Sequence, residues 1–215
     1  IMLRMSHAPT AADSSLGKTT EYREDYDPAL LFPIPRAGNR ATLELAGVPL
    51  HGVDVWNAYE LSWLAPGGLP QVALAEFRVP ADSPNLIESK SLKLYLNGFM
   101  QFRAEGPEPI RAMIERDLSA AARAPVSVDL LDATQLPESG LPEGDCIDDP
   151  AVAIDQYGPP DAELLRWDAE RAEQRLVSHL LKSNCPVTGQ PDWASVQIHL
   201  DGPRLDRAAL LRYLV

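Results

Sequence analysis

Pro66-Gly67-Gly68-Leu69-Pro70-Gln71-Val72-Ala73-Leu74-Ala75-Glu76-Phe77-Arg78-Val79 decides how this chain folds. Its Pro-Gly-Gly opening is a turn, because proline presets one backbone torsion and glycine accepts the left-handed one. From Gln71 to Val79 polar and apolar residues alternate with the period of a strand. Upstream, Val53 to Leu64 is rich in Val, Trp, Tyr and Leu, residues that fit a pleated, half-buried surface. The turn therefore joins two strands of an antiparallel sheet with one covered face. Thr42-Leu43-Glu44-Leu45 alternates too and reads as a further strand.

What covers that face comes next in the chain. Leu92, Leu96 and Phe99 recur at helical spacing with Tyr95 beside them, and Gly98 weakens the end of this helix. Residues 109–122 form a second helix, with Ile110, Met113, Ile114 and Leu118 on one face and Pro109 in the first turn. A strand over 126–131 follows. Strands, then helices, then a strand give an α+β fold with helices packed on one face of an antiparallel sheet.

The rest of the chain is read around this module. Residues 1–38 are polar and Pro-bearing, an irregular N-terminal arm, and 39–135 are the first module. Residues 136–165, rich in Pro, Gly and Asp, are a connector. A second module, 166–215, starts again: strands over 175–181 and 195–200, a turn at Asp201-Gly202, and a helix over 205–214. The chain stops inside this second unit, so its last helix is expected to expose apolar surface and its sheet to have unpaired edges.

The composition excludes several classes. Of 215 residues 45% are hydrophobic, enough for a sizeable core, and the net charge is −12. That charge repels a nucleic-acid backbone, and no block of Lys and Arg offsets it, so direct nucleic-acid binding is not expected. No run approaches a membrane span. Two cysteines, Cys146 and Cys185, without an apolar leader of signal length, are expected to be reduced thiols in a cytoplasmic protein. Neither they nor the four His show metal-ligand spacing, and there is no Walker loop or dinucleotide-binding glycine fingerprint.

Two segments carry chemistry. Glu88-Ser89-Lys90-Ser91-Leu92-Lys93-Leu94-Tyr95 opens the first helix. Lys is mildly unfavourable at a helix N-terminus, and an anionic ligand would resolve the mismatch by meeting free backbone N–H groups and Lys side chains together. An ordinary solvated helix face, with Glu88 as a favourable acid, reads equally well. The second segment is Ser183-Asn184-Cys185-Pro186-Val187-Thr188-Gly189-Gln190-Pro191-Asp192-Trp193. A thiolate here is a strong nucleophile and the carboxyl of Asp192 a proton donor. Cys185 also reads as a small apolar residue, and Asp192 as a turn residue.

Together the two segments resemble the NADPH-dependent 7-cyano-7-deazaguanine reductases, the nitrile reductases of queuosine biosynthesis, in their long two-module form. Tyr59-Glu60-Leu61-Ser62-Trp63-Leu64 and Cys146-Ile147-Asp148-Asp149 add to the likeness, which runs from about Tyr22 to Val215. The resemblance implies tandem tunnelling-fold modules and a homo-oligomer, at least a dimer. It implies that Cys185 adds to the nitrile as a thioimide-forming nucleophile and that Asp192 protonates the nitrogen. By family match Ile87, Glu88 and Ser89 meet the 7-deazaguanine substrate, and Ser89 and Lys90 meet NADPH. The family pattern continues with a Phe-His-Glu segment beyond Val215, so the resemblance also implies that the 215-residue chain alone binds substrate poorly or is inactive. Two other classes stay open on the residues: a non-catalytic pterin- or purine-binding protein, and a metal-dependent relative such as a GTP cyclohydrolase.

Overall fold

The computed structural model describes residues 9–14, 18, 24–41, 48–132, 140–185 and 188–215. The chain divides into two compact units, Ile1–Pro137 and Glu138–Val215. Each is an α+β assembly in which an antiparallel hairpin packs one face against helix, the arrangement of tunnelling-fold modules.

The first unit runs β1 (Pro33–Pro35), α1 (Arg36–Arg40), β2 (Val53–Leu64), β3 (Pro70–Pro80), β4 (Asn85–Ile87), α2 (Ser89–Asn97), α3 (Pro107–Ala122) and β5 (Ser127–Asp132). The predicted hairpin is β2 and β3, antiparallel from Val53 opposite Pro80 to Leu64 opposite Pro70. β5 pairs along the other side of β3, Arg78 opposite Ser127. Ala73, Ala75, Phe77 and Val79 of β3 point into the core with Leu92 and Tyr95 of α2, Phe99 just beyond it, and Ile110, Ile114 and Leu118 of α3. Each large apolar side chain buried in this way contributes about 1.5–3 kcal/mol.

Three expectations in this unit need revision. The arm is not irregular throughout its described part. Pro33-Ile34-Pro35 pairs antiparallel with β4, Pro33 opposite Ile87, and Tyr26 enters the aromatic cluster of Tyr95, Phe99 and Phe102. Prolines read as loop in the sequence, yet a short edge strand tolerates their missing N–H groups. The second helix starts earlier, at Pro107, so Pro107 takes the first position and Pro109 the third; the first turn has no intrahelical N–H bonds to lose. Gly98 does more than weaken a helix end. A Cβ built there would stand 2.8 Å from the Asp25 carbonyl oxygen, so only glycine lets the arm cross α2 at this point. The strand expected at Thr42–Leu45 lies outside the described residues.

The second unit holds β6 (Asp145–Cys146), β7 (Trp167–Asn184), β8 (Pro191–Leu205) and α4 (Arg207–Leu214). β7 and β8 are antiparallel, and β6, inside the expected connector, pairs parallel with β7. Both long strands extend well beyond the predicted segments, because exposed polar residues such as Asp168 to Glu170 mask the alternation at their far ends. Asp201-Gly202 is not a turn: it lies within β8, opposite Glu173 and Ala172. Leu205 ends the strand rather than opening the helix. The apolar face of α4 is not exposed either. Ala209, Leu210, Leu211 and Leu214 are buried, the three leucines in one cluster with Ile147, Leu176 and Leu205. Among the described residues no helix is long and apolar enough to cross a membrane.

Candidate active site

Glu88 stands at the junction of β4 and α2 and is the N-cap of that helix. Its Oε1 accepts the Lys90 N–H and its Oε2 the Ser91 N–H, each at 2.8 Å. This corrects one expectation: those two amides are not free for an anion, because the Glu88 carboxylate satisfies them itself. The residue is 4% exposed. Oε1 also accepts the Ser89 hydroxyl at 3.5 Å, whereas Oε2 keeps a second lone pair, so the capped carboxylate still has acceptor capacity.

The neighbours divide by exposure. Ile87 is buried on β4, Ser89 is exposed at the first helical position, and Lys90 is half-buried. The Lys90 ammonium donates to the Lys18 carbonyl at 2.9 Å. Ser91 locks the segment to the arm: its Oγ donates to the Glu88 carbonyl (2.7 Å) and accepts the Phe32 N–H (3.0 Å). The exposed hydroxyl and the ammonium suit the phosphate groups of a dinucleotide, and such a contact would be made by side chains rather than by the helix N-terminus.

Sequence reasoning missed a buried polar network behind this segment. Asp117, on α3 and 7% exposed, accepts from Tyr26 Oη (2.5 Å) and Tyr95 Oη (2.8 Å) on one oxygen and from Arg116 Nε (2.8 Å) on the other. Burial, reinforced by the Asp117 carboxylate, pushes the Tyr26 phenol up to about 12 and that of Tyr95 upward as well. Tyr95 was legible only as part of an apolar stripe; nothing in sequence placed Asp117 within its reach.

Cys185 sits at the tip of the β7–β8 hairpin, half-buried and outside any disulfide. Its N–H donates to the Gln190 carbonyl (2.8 Å), and its carbonyl accepts the Gly189 N–H (2.9 Å). Gly189 has φ +69, the left-handed conformation that closes such loops at no steric cost. Pro186 and Val187 lie outside the described residues. Asp192 is exposed on β8, directly opposite Ser183. The two-residue strand period therefore sets Cys185 and Asp192 on one sheet face as diagonal neighbours, about 7–8 Å apart. Lys182 and Trp193, paired one step along, point to the other face, where the Lys182 ammonium lies 5.6 Å from the Tyr157 ring and 5.9 Å from the Trp193 ring.

The first unit repeats this plan without the sulfur. Ala65 stands where Cys185 does, its N–H on Leu69 O (2.9 Å) and its carbonyl accepting from Gly68 N–H (2.8 Å). Asp206 caps α4 through the Ala209 N–H at 2.7 Å, as Glu88 caps α2. Each strand histidine has a partner on its own sheet: His179 Nδ1 meets Ser195 Oγ (2.7 Å), and His199 Nε2 meets Glu173 Oε1 (2.9 Å). Among the described residues, no three His, Cys, Asp or Glu gather as a metal would require.

The Glu88 segment lies within a family match. Residues 22–130 match the model described as nitrile reductase, 7-cyano-7-deazaguanine-reductase N-terminal part. A curated protein of Bordetella pertussis strain Tohama I, named NADPH-dependent 7-cyano-7-deazaguanine reductase, is 50% identical over 99% of this chain and 77% of its own length. Proteins of the same name from Stenotrophomonas maltophilia strains K279a and R551-3 are 54% and 55% identical, each over 96% of this chain and 76% of their own length. With half the residues shared across nearly its whole span, the chain belongs to the NADPH-dependent 7-cyano-7-deazaguanine reductase family.

Proposed function

We propose that this protein reduces the nitrile of 7-cyano-7-deazaguanine to the aminomethyl group through a covalent adduct on Cys185. The observation that supports this most directly is the hairpin tip, where a half-buried thiol and a carboxyl share one sheet face.

A nitrile carbon is a poor hydride acceptor. The Cys185 thiolate adds to it, forming the C–S bond as one carbon–nitrogen π pair moves to nitrogen. Asp192 delivers a proton to that nitrogen, which gives a thioimide, a better electrophile. NADPH, when bound, supplies the two hydrides of the four-electron reduction. After the first reduction and a second protonation, the C–S bond breaks, Cys185 leaves as thiolate, and an iminium remains for the second. Glu88 orients the substrate, since its remaining lone pairs can accept from the ring and amino N–H groups of a guanine-like edge. Ile87 and Ser89 flank that edge, and Ser89 and Lys90 meet the cofactor.

The same reading has a cytoplasmic homo-oligomer that acts on a small molecule; the net charge of −12 is unfavourable for direct contact with RNA. Intact-mass spectrometry tests the chemistry. Incubation with 7-cyano-7-deazaguanine in the absence of NADPH should add the mass of one substrate to Cys185. Asp192→Asn should lower NADPH oxidation by roughly a hundredfold or more with unchanged circular dichroism. A protein that turns over substrate yet forms no adduct sinks the covalent route.

A further inference from the structure

The strand that carries Cys185 has one residue too many. Ser178 lies opposite Val196 and Leu181 opposite Ala194, so His179 and Leu180 share the single partner Ser195. Such a bulge reverses the alternation of everything beyond it. Leu176, Leu181, Val196 and Ile198 all join the cluster under α4, and Cys185 and Asp192 follow on that same face. Paired straight through, with no bulge, the same residues would carry Leu181 and Cys185 to the opposite face.

A bulge also strands backbone N–H groups that a regular ladder would satisfy. Here both have side-chain acceptors. The His179 N–H donates to Asp148 Oδ2 at 2.9 Å, and the Leu180 N–H to Ser178 Oγ at 3.1 Å. The Ser178 hydroxyl in turn donates to Asp148 Oδ1 at 2.6 Å. Asp148 is itself anchored, because it follows β6, and the Ile147 N–H bonds the Val177 carbonyl at 2.9 Å. Burial alone would raise the Asp148 carboxyl, but hydrogen bonds from Ser178, the His179 backbone and Cys146 hold it below the ordinary aspartate value, so the clasp is made by a carboxylate.

We propose that Asp148 is a positioning residue for the reaction: by tying down the bulge of β7 it fixes the face and reach of the hairpin tip that presents Cys185 and Asp192. This rests on the reading of Cys185 as the nucleophile. Cys146-Ile147-Asp148-Asp149 thereby gains a role, with Asp148 acting through Cys185 rather than on the substrate.

Two rates measured on one sample separate positioning from disorder. Adduct formation with 7-cyano-7-deazaguanine needs an aimed sulfur; alkylation by iodoacetamide, read on the Cys185 peptide, needs only an accessible one. Asp148→Ala should slow the adduct roughly ten- to hundredfold while alkylation stays within a fewfold of wild type. Asp148→Asn, which keeps only one of the two acceptor oxygens, should recover part of that loss and stay a fewfold below wild type. If the alanine variant does not fold, the Asn variant decides: an adduct rate a fewfold below wild type with unchanged alkylation is expected, and a rate equal to wild type overturns the proposal. Equal loss of both rates in folded Asp148→Ala overturns it too, as would a wild-type adduct rate there. An adduct that persists in Cys185→Ala overturns the nucleophile reading itself, and this one with it.

Discussion

Tyr95 on α2 donates its phenol to Asp117 on α3 at 2.8 Å, and both side chains are buried. That bond ties the helix capped by Glu88 to its neighbour, and Tyr26 of the arm joins it on the same oxygen. Asp117→Ala would leave two phenols and a guanidinium without their acceptor. The expected loss of stability is about 1–3 kcal/mol or more, read as a lower midpoint in urea. Asp117→Asn should recover part of it.

The Tyr26 phenol carries a pH dependence. Its value rises to about 12 in the folded protein from an ordinary 10.0, so between those values the folded state holds a proton that the unfolded state has lost. Stability is then full below about pH 10 and falls as pH rises towards 12. Tyr26→Phe should flatten that part of the stability profile, and phenolate absorbance should show one fewer late-titrating tyrosine.

Glu88 serves two functions that substitutions can separate. As a helix cap its loss in Glu88→Ala should cost about 1 kcal/mol, seen as a small fall in Tm. As a substrate acceptor its loss should weaken binding of 7-cyano-7-deazaguanine by roughly ten- to hundredfold by calorimetry, as expected for hydrogen bonds to a charged group. Binding that falls only in step with Tm would leave Glu88 a cap and nothing else.

Lys90→Ala should raise the KM for NADPH and leave the rate of Cys185 adduct formation without NADPH nearly unchanged. An equal loss in both would remove Lys90 from the cofactor side of the reading.

Gly98→Ala forces a methyl to 2.8 Å from the Asp25 carbonyl oxygen. The arm must move or α2 must shift, at an expected cost of about 1–3 kcal/mol. A variant with wild-type Tm would show that the arm yields easily at this crossing.

The chain announced its local structure well wherever one period dominates. The β2–β3 hairpin, with its Pro-Gly-Gly turn, and the apolar faces of α2 and α3 follow from alternation and helical spacing. The two candidate segments could be picked out because each is contiguous: Ile87 to Lys90 spans one strand-to-helix junction, and Cys185 and Asp192 share one hairpin. Long-range pairing was not legible. The partnership of Asp117 with Tyr26 and Tyr95, the strand made by Pro33-Ile34-Pro35, and the acceptor that Asp148 offers to β7 all join residues far apart in the chain. Which sheet face carries the sulfur depends on β7 bulging at His179 and Leu180, a place that no periodicity marks. Local spacing records which way a side chain points relative to those beside it, whereas the register of two strands and the closure of a hydrogen-bond network are settled only when distant segments meet and every buried donor must find an acceptor.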